Sequence, residues 1–209
     1  KIFAEDSYCS LSSAQQLGNR GSTNVAAVAI NIKDDQNESK ENPDRFYESR
    51  ELLGEGKFSK VFRVTNHSTG ESRILKTLHT VTEAALDQLK NEINILNKIN
   101  HVAPSSQYIV RMINYTYNPP YSIHYTNEGK TSELFEIITS NNIHLNACAI
   151  HNLFTNITRG MSFLFSHNIM HRDIKPENII VRQHGANPSD WTPFLCDFGF
   201  SCTFTSPLS

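Results

Sequence analysis

Between His171 and Ile180 the chain reads His-Arg-Asp-Ile-Lys-Pro-Glu-Asn-Ile-Ile. A carboxylate, a lysine two residues on and an asparagine five residues on can all face one reacting centre from a single loop. The Asp173 carboxylate can orient an attacking hydroxyl and accept its proton. The Lys175 ammonium can neutralise a phosphoryl group in transfer, and the Asn178 amide oxygen can bind Mg2+. Asp197-Phe198-Gly199 follows, with Asp197 24 residues after Asp173, and offers a second metal carboxylate. So specific a run does not arise by chance.

Three weaker signals lie upstream. In Gly54-Glu55-Gly56-Lys57-Phe58-Ser59-Lys60-Val61 the glycines let backbone amides approach phosphate oxygens with no side chain in the way. A plain hairpin turn explains the same residues, and Ser59 stands where a GxGxxG pattern has its third glycine. Lys76 falls on the following strand, and Glu92 falls in the next helix. A lysine aimed into a cleft can pair with such a glutamate and be fixed against phosphates. Taken singly, a solvated lysine and an exposed glutamate explain them as well.

The elements that must position these groups follow from periodicity. Phe46 to Gly54 predicts a strand entering a glycine turn, and Val61 to Val64 the returning strand. Asn66 to Gly70 is a turn, and Arg73 to Leu78 the next strand. From Thr82 to Ile99 the period changes. Leu86, Leu89, Ile93, Leu96 and Ile99 recur at helical steps, with Thr82 as the cap. Two more strands are predicted at Tyr108–Tyr117 and Tyr121–Thr126. A second helix covers Cys148 to His167, with Ile150, Leu153, Phe154, Ile157, Met161 and Leu164 assigned to one face. Short strands follow near Ile179–Val181 and Phe194–Leu195. Strands first and helices later predict two segregated lobes with a cleft between them.

Composition sets bounds. The 209 residues are 38% hydrophobic, enough for one domain or two small lobes. A net charge of -2 from 19 basic and 21 acidic residues argues against a nucleic-acid partner. No apolar run reaches the roughly 18 residues of a membrane span. Cys9, Cys148, Cys196 and Cys202 form no CxxC pair, which predicts reduced thiols in the cytoplasm or nucleus. The four Asn-x-Ser/Thr sequons at Asn37, Asn66, Asn114 and Asn156 are short enough to arise by chance. Residues 1–44 read as an extension. In it, Val25 to Ile32 is either a strand of an upstream domain or a stray apolar patch, and 33–44 is a linker.

From Phe46 to Ser209 the ordered motifs resemble the eukaryotic protein kinase family, and Lys-Pro-Glu-Asn after the Asp resembles its serine/threonine branch. The LGEGKFSKVF and SELFEII runs are similar to calcium/calmodulin-dependent and cyclic-nucleotide-dependent members. The resemblance implies an α+β fold. A small antiparallel-sheet lobe with one main helix spans about 45–126, a hinge 127–129, and an incomplete helical lobe 130–209. It implies ATP and Mg2+ as cofactors and a protein Ser/Thr hydroxyl as substrate, with no nucleic acid and no membrane. Leu53 to Val61, that is Leu53, Gly54, Glu55, Gly56, Lys57, Phe58, Ser59, Lys60 and Val61, would cover the nucleotide. Lys76 would bind its phosphates and pair with Glu92. Thr126 would back the adenine, Glu133 would approach the ribose, and Ile180 would lie beneath the base. Asp173 would be the catalytic base, Lys175 the phosphoryl contact, and Asn178 and Asp197 the metal ligands. Leu96, Met112, His171 and Phe198 would form a column joining the lobes.

Several departures stand out. Ile74 occupies a position where the family has a small alanine, and its branch is expected to crowd the adenine and weaken ATP binding. Ser59 replaces the third glycine, the hinge is more polar than usual, and Gln183 to Thr192 reads as a small insertion. The sequence stops 12 residues after Asp197, before an APE motif and the later helices. Apolar residues of the 148–167 helix are therefore expected to lack a packing partner. The chain alone is expected to fold poorly or be inactive, and a longer parent to be active. Arg172 makes a phosphate contact in the activation segment plausible, with Thr203, Thr205, Ser206 and Ser209 as acceptors. A non-catalytic nucleotide-binding or interaction module is the alternative. A small-molecule kinase of similar fold is disfavoured by Lys-Pro-Glu-Asn.

Overall fold

The computed structural model describes residues 47–104 and 106–205. The readings for the 1–44 extension, Cys9, Phe46, Ser206 and Ser209 lie outside those residues.

The first lobe is a five-stranded antiparallel sheet: β1 (Tyr47–Glu55), β2 (Ser59–Asn66), β3 (Ser72–Leu78), β4 (Met112–Thr116) and β5 (Ser122–Thr126). Their order is β1-β2-β3-β5-β4. Register sorts the side chains. Val61 pairs with Lys76 and Lys76 with Ile123, so the three share a face. Arg63, Ile74 and Tyr125, two residues along, share it too. On the opposite face Val64 and Leu75 cluster with Tyr47 and half-buried Phe62.

Helix α1 (Glu83–Val102) packs on the first face. Thr82 caps it by accepting the Ala85 N–H at 3.2 Å. Such a cap contributes about 1 kcal/mol. Leu89, Ile93, Leu96 and Ile99 are buried along the predicted stripe, and the helix runs one turn past the predicted Ile99.

The predicted strand Tyr108–Tyr117 divides. Ile109 bridges to Leu195, and the Val110 N–H donates to the Leu195 carbonyl at 3.1 Å, whereas Met112–Thr116 joins the first sheet. The division ties the two lobes together.

The second lobe contains β6 (Thr131–Glu133), α2 (Leu134–Thr139), α3 (Ala147–Ser166), β7 (Ile169–Met170), β8 (Ile179–Arg182), β9 (Thr192–Leu195) and β10 (Cys202–Thr203). β6, β8 and β9 form one small sheet, and β7 pairs with β10. Asn146 caps α3 by accepting the Ala149 N–H at 2.8 Å. The single face assigned to α3 is in fact two. Leu153, Ile157 and Leu164 are buried with Gly160, each such apolar side chain worth about 1.5–3 kcal/mol. Ile150, Phe154 and Met161 form a separate exposed stripe with Phe165, and Phe154 is 65% exposed.

Segment 183–192 docks on α3. Asn152 donates to the Ser189 and Trp191 carbonyls at 2.9 and 3.0 Å, and Trp191 is buried in the core. Among the described residues no helix is long and apolar enough to cross a membrane. The molecule has the predicted α+β fold, a sheet lobe with one main helix and a partial helical lobe.

Candidate active site

Lys76, Glu92 and Asp197 come from three elements and meet. The Lys76 ammonium donates to Glu92 Oε2 at 2.7 Å and to Asp197 Oδ1 at 3.1 Å. Burial acts to lower the Lys76 pKa, but the two carboxylates outweigh it and hold the ammonium above the ordinary lysine value. Burial likewise acts to raise the Asp197 carboxyl, but Lys76 outweighs it and the net shift is downward. The two carboxylates thus favour the charged form of Lys76.

Asp197 and Arg172 have positive φ, 62° and 66°. A non-glycine residue in that region costs about 1–2 kcal/mol, so surrounding bonds must hold both turns. They do. Arg172 donates from Nε to the Phe200 carbonyl at 2.6 Å. His171 accepts the Asp173 N–H at Nδ1, 3.3 Å, and lies 3.0 Å from the Cys196 carbonyl through Nε2. Those two contacts require the neutral tautomer with its proton on Nε2. Burial lowers the His171 pKa and favours that form.

In the loop itself, Lys175 donates to Asp173 Oδ2 at 2.9 Å. Asn178 donates to the same oxygen at 2.8 Å and to the Asp173 carbonyl at 2.9 Å. With its nitrogen committed to Asp173, the Asn178 amide oxygen is left for another group. The Asn178 carbonyl accepts the Cys196 N–H at 3.0 Å, which sets it beside the residue before Asp197. Asp173, Lys175 and Asn178 are thus joined by hydrogen bonds in one loop.

Over the cleft, the turn between β1 and β2 is closed by Gly56 N–H to Ser59 carbonyl, 2.8 Å. A Cβ added at Gly54 would meet nothing within 4 Å. The backbone there is open on one side, which suits the close approach of a phosphate. Leu53 is exposed, Glu55 pairs with Lys60 at 3.3 Å, and Lys57 lies 4.9 Å from the Phe58 ring. Glu133 pairs in register with Ile180 across β6 and β8. Burial, with Glu136 and Glu177 beside it, raises the Glu133 pKa. Leu96, Met112, His171 and Phe198 are all buried, with the His171 and Phe198 rings 4.7 Å apart.

One assignment changes. Thr126 does not face Lys76; its hydroxyl donates to Glu128 at 2.8 Å, and its register partner is Arg73 on the opposite face from Lys76. Tyr125 takes the inner position and donates its hydroxyl to Glu92 Oε1 at 2.7 Å. Alternation in Ser122-Ile123-His124-Tyr125-Thr126 carried that signal, with the apolar and aromatic residues inward.

Among the described residues no group of three or more His, Cys, Asp or Glu converges, so there is no all-protein metal cage. The donors fit Mg2+ in another way. The Asp197 carboxylate and the Asn178 amide oxygen are hard ligands of the kind that would hold Mg2+.

A family model for the protein kinase domain matches residues 47–209. The chain is 32% identical over 158 residues to dual specificity tyrosine-phosphorylation-regulated kinase 2 of Drosophila melanogaster, covering 75% of this chain and 21% of that protein. It is 34% identical over 136 residues to human myosin light chain kinase 3, covering 65% and 16%. It is 31% identical over 197 residues to probable serine/threonine-protein kinase fhkA of Dictyostelium discoideum, covering 91% and 31%. The chain thus spans about a third or less of the length of these relatives. The matched domain covers the sheet lobe, the Lys76–Glu92–Asp197 cluster and the Asp173 loop, and the chain belongs to the protein kinase family.

Proposed function

We propose that the chain carries the centre that transfers the γ-phosphoryl group of ATP to serine and threonine hydroxyls of protein substrates. The observation that carries this reading is the Lys76 bridge to Glu92 and Asp197, which sets a fixed cation beside a candidate metal carboxylate. Lys76 binds phosphate oxygens, and the β1–β2 turn covers them with backbone amides. Asp173 orients the substrate hydroxyl. The hydroxyl oxygen bonds to the γ-phosphorus as the bond from that phosphorus to the β–γ bridging oxygen breaks. The bond's electron pair leaves with ADP, and the hydroxyl proton passes to Asp173. Lys175 offsets charge on the moving phosphoryl group. Asp197 and Asn178 would hold Mg2+, which would supply charge neutralisation and orientation at the phosphates. Lys-Pro-Glu-Asn supports Ser/Thr as acceptors.

A second reading, nucleotide or partner binding without transfer, is favoured by Ile74, which shares the Lys76 face of β3 and packs on the core. Labelled-ATP transfer to Ser, Thr and Tyr peptides separates the two. We expect label on Ser and Thr, reduced by about 10²–10⁴ in Asp173→Asn, the range for a lost general base. ATP binding with no transfer by the chain or a longer form carrying it supports the second reading. A cytosolic or nuclear location belongs to the same proposal, and imaging of the tagged protein tests it.

A further inference from the structure

Asn91 sits on α1 directly before Glu92. Its Nδ2 lies 2.9 Å from the Gly199 carbonyl, 2.8 Å from the Ser201 carbonyl and 3.3 Å from the Phe198 carbonyl. All three partners accept only. A primary amide has two N–H groups, so the two shorter bonds take one hydrogen each and Phe198 shares. The clamped segment is also bonded on its other side. Buried Ser201 donates its hydroxyl to the His171 carbonyl at 3.1 Å and its N–H to the Phe198 carbonyl at 3.0 Å. Against α1, a Cβ on Gly199 would meet Gln88 at 3.5 Å, so helix and segment are in close approach.

We infer that Asn91 is a positioning residue: its amide holds segment 198–201 on α1 and thereby keeps Asp197 turned toward Lys76. The inference rests on the phosphotransferase reading above. Asp197 has φ 62°, a conformation that its neighbours must impose. Consecutive residues of α1 then serve the two halves of the site. Glu92 fixes the phosphate-side cation, and Asn91 fixes the segment that carries the metal-side carboxylate.

Two variants test this. Asn91→Ala removes the donor and improves helix propensity, so α1 persists. Asn91→Asp keeps the shape but turns a carboxylate toward three carbonyls. Hydrogen exchange across 198–204 is measured first, since it needs no nucleotide. Both variants are expected to speed exchange there roughly tenfold, the worth of one hydrogen bond of typical strength, with α3 unchanged. Nucleotide affinity is then measured with and without Mg2+. Mg-ATP is expected to bind roughly tenfold more weakly, and metal-free ATP within about twofold of wild type. Unchanged exchange in both variants overturns the inference, as does equal loss with and without Mg2+. If the unmutated chain binds no nucleotide, the phosphotransferase reading falls and the exchange result alone decides the role of Asn91.

Discussion

Tyr125 and Glu92 are joined by a 2.7 Å hydrogen bond from the phenol to Oε1, while Glu92 Oε2 accepts from Lys76. Glu92 is 1% exposed, so both of its oxygens depend on protein donors. Tyr125→Phe deletes one donor without changing shape. It should destabilise the fold by about 1–3 kcal/mol, read by chemical denaturation. Burial, then Glu92, raise the Tyr125 pKa well above the ordinary tyrosine value. A raised pKa gives stability that is full below the unfolded value near 10 and is lost as pH rises past it. Tyr125→Phe should therefore flatten the alkaline loss of stability. Equal stability of the two proteins would refute this account of the bond.

His124 lies on the other face of β5, with its ring 5.7 Å from Tyr47. Burial, with a smaller contribution from Arg73, lowers its pKa from 6.5 to about 4. The unfolded chain therefore takes up this proton first as pH falls. Stability should decline from about pH 6.5 to about pH 4 and level off below. His124→Phe should remove that part of the slope in melting temperatures recorded against pH. A slope unchanged by the substitution would assign the acid loss to other groups.

Ile74 stands two residues before Lys76 on the same face and packs against the main core. Ile74→Ala should tighten Mg-ATP binding several-fold while costing about 2 kcal/mol of stability, the low end for a truncated apolar side chain. Calorimetric titration and denaturation report the two effects separately. Weaker binding would mean that the branch supports the nucleotide instead of crowding it.

Gly160 lets α3 approach β9. A Cβ there would stand 3.2 Å from Leu195 Cδ1 and 3.2 Å from Tyr108 Cβ. Alanine gains about 1 kcal/mol in helix propensity, but crowding a packed core costs about 1–3 kcal/mol. Because Tyr108 Cβ is fixed to the backbone, Gly160→Ala should lower the melting temperature. A rise would show that the helix can move off β9.

Much of this was legible in the sequence because local patterns carried it. The buried stripe of α1 from Leu89 to Ile99 and the glycine turn appear as read, and Asp173, Lys175 and Asn178 lie together in one loop. The misplaced Thr126 had a signal in strand alternation that motif spacing overrode. Assigning α3 one apolar face failed because Ile150, Phe154 and Met161 fall on a different strip from Leu153, Ile157 and Leu164. β10 was invisible because two residues pairing with β7 leave no periodicity. The Asn91 clamp was invisible because its partners are backbone carbonyls, which have no sequence signature.

The central claim is a metal-dependent nucleotide site built on Lys76 and Asp197. Thermal shift of the chain titrated with Mg-ATP, beside Asp197→Asn, tests it most directly. The account predicts a melting temperature that rises with Mg-ATP, by mass action on the folded state, and much less in Asp197→Asn. A transition that ignores Mg-ATP, or that responds equally in both proteins, would contradict it.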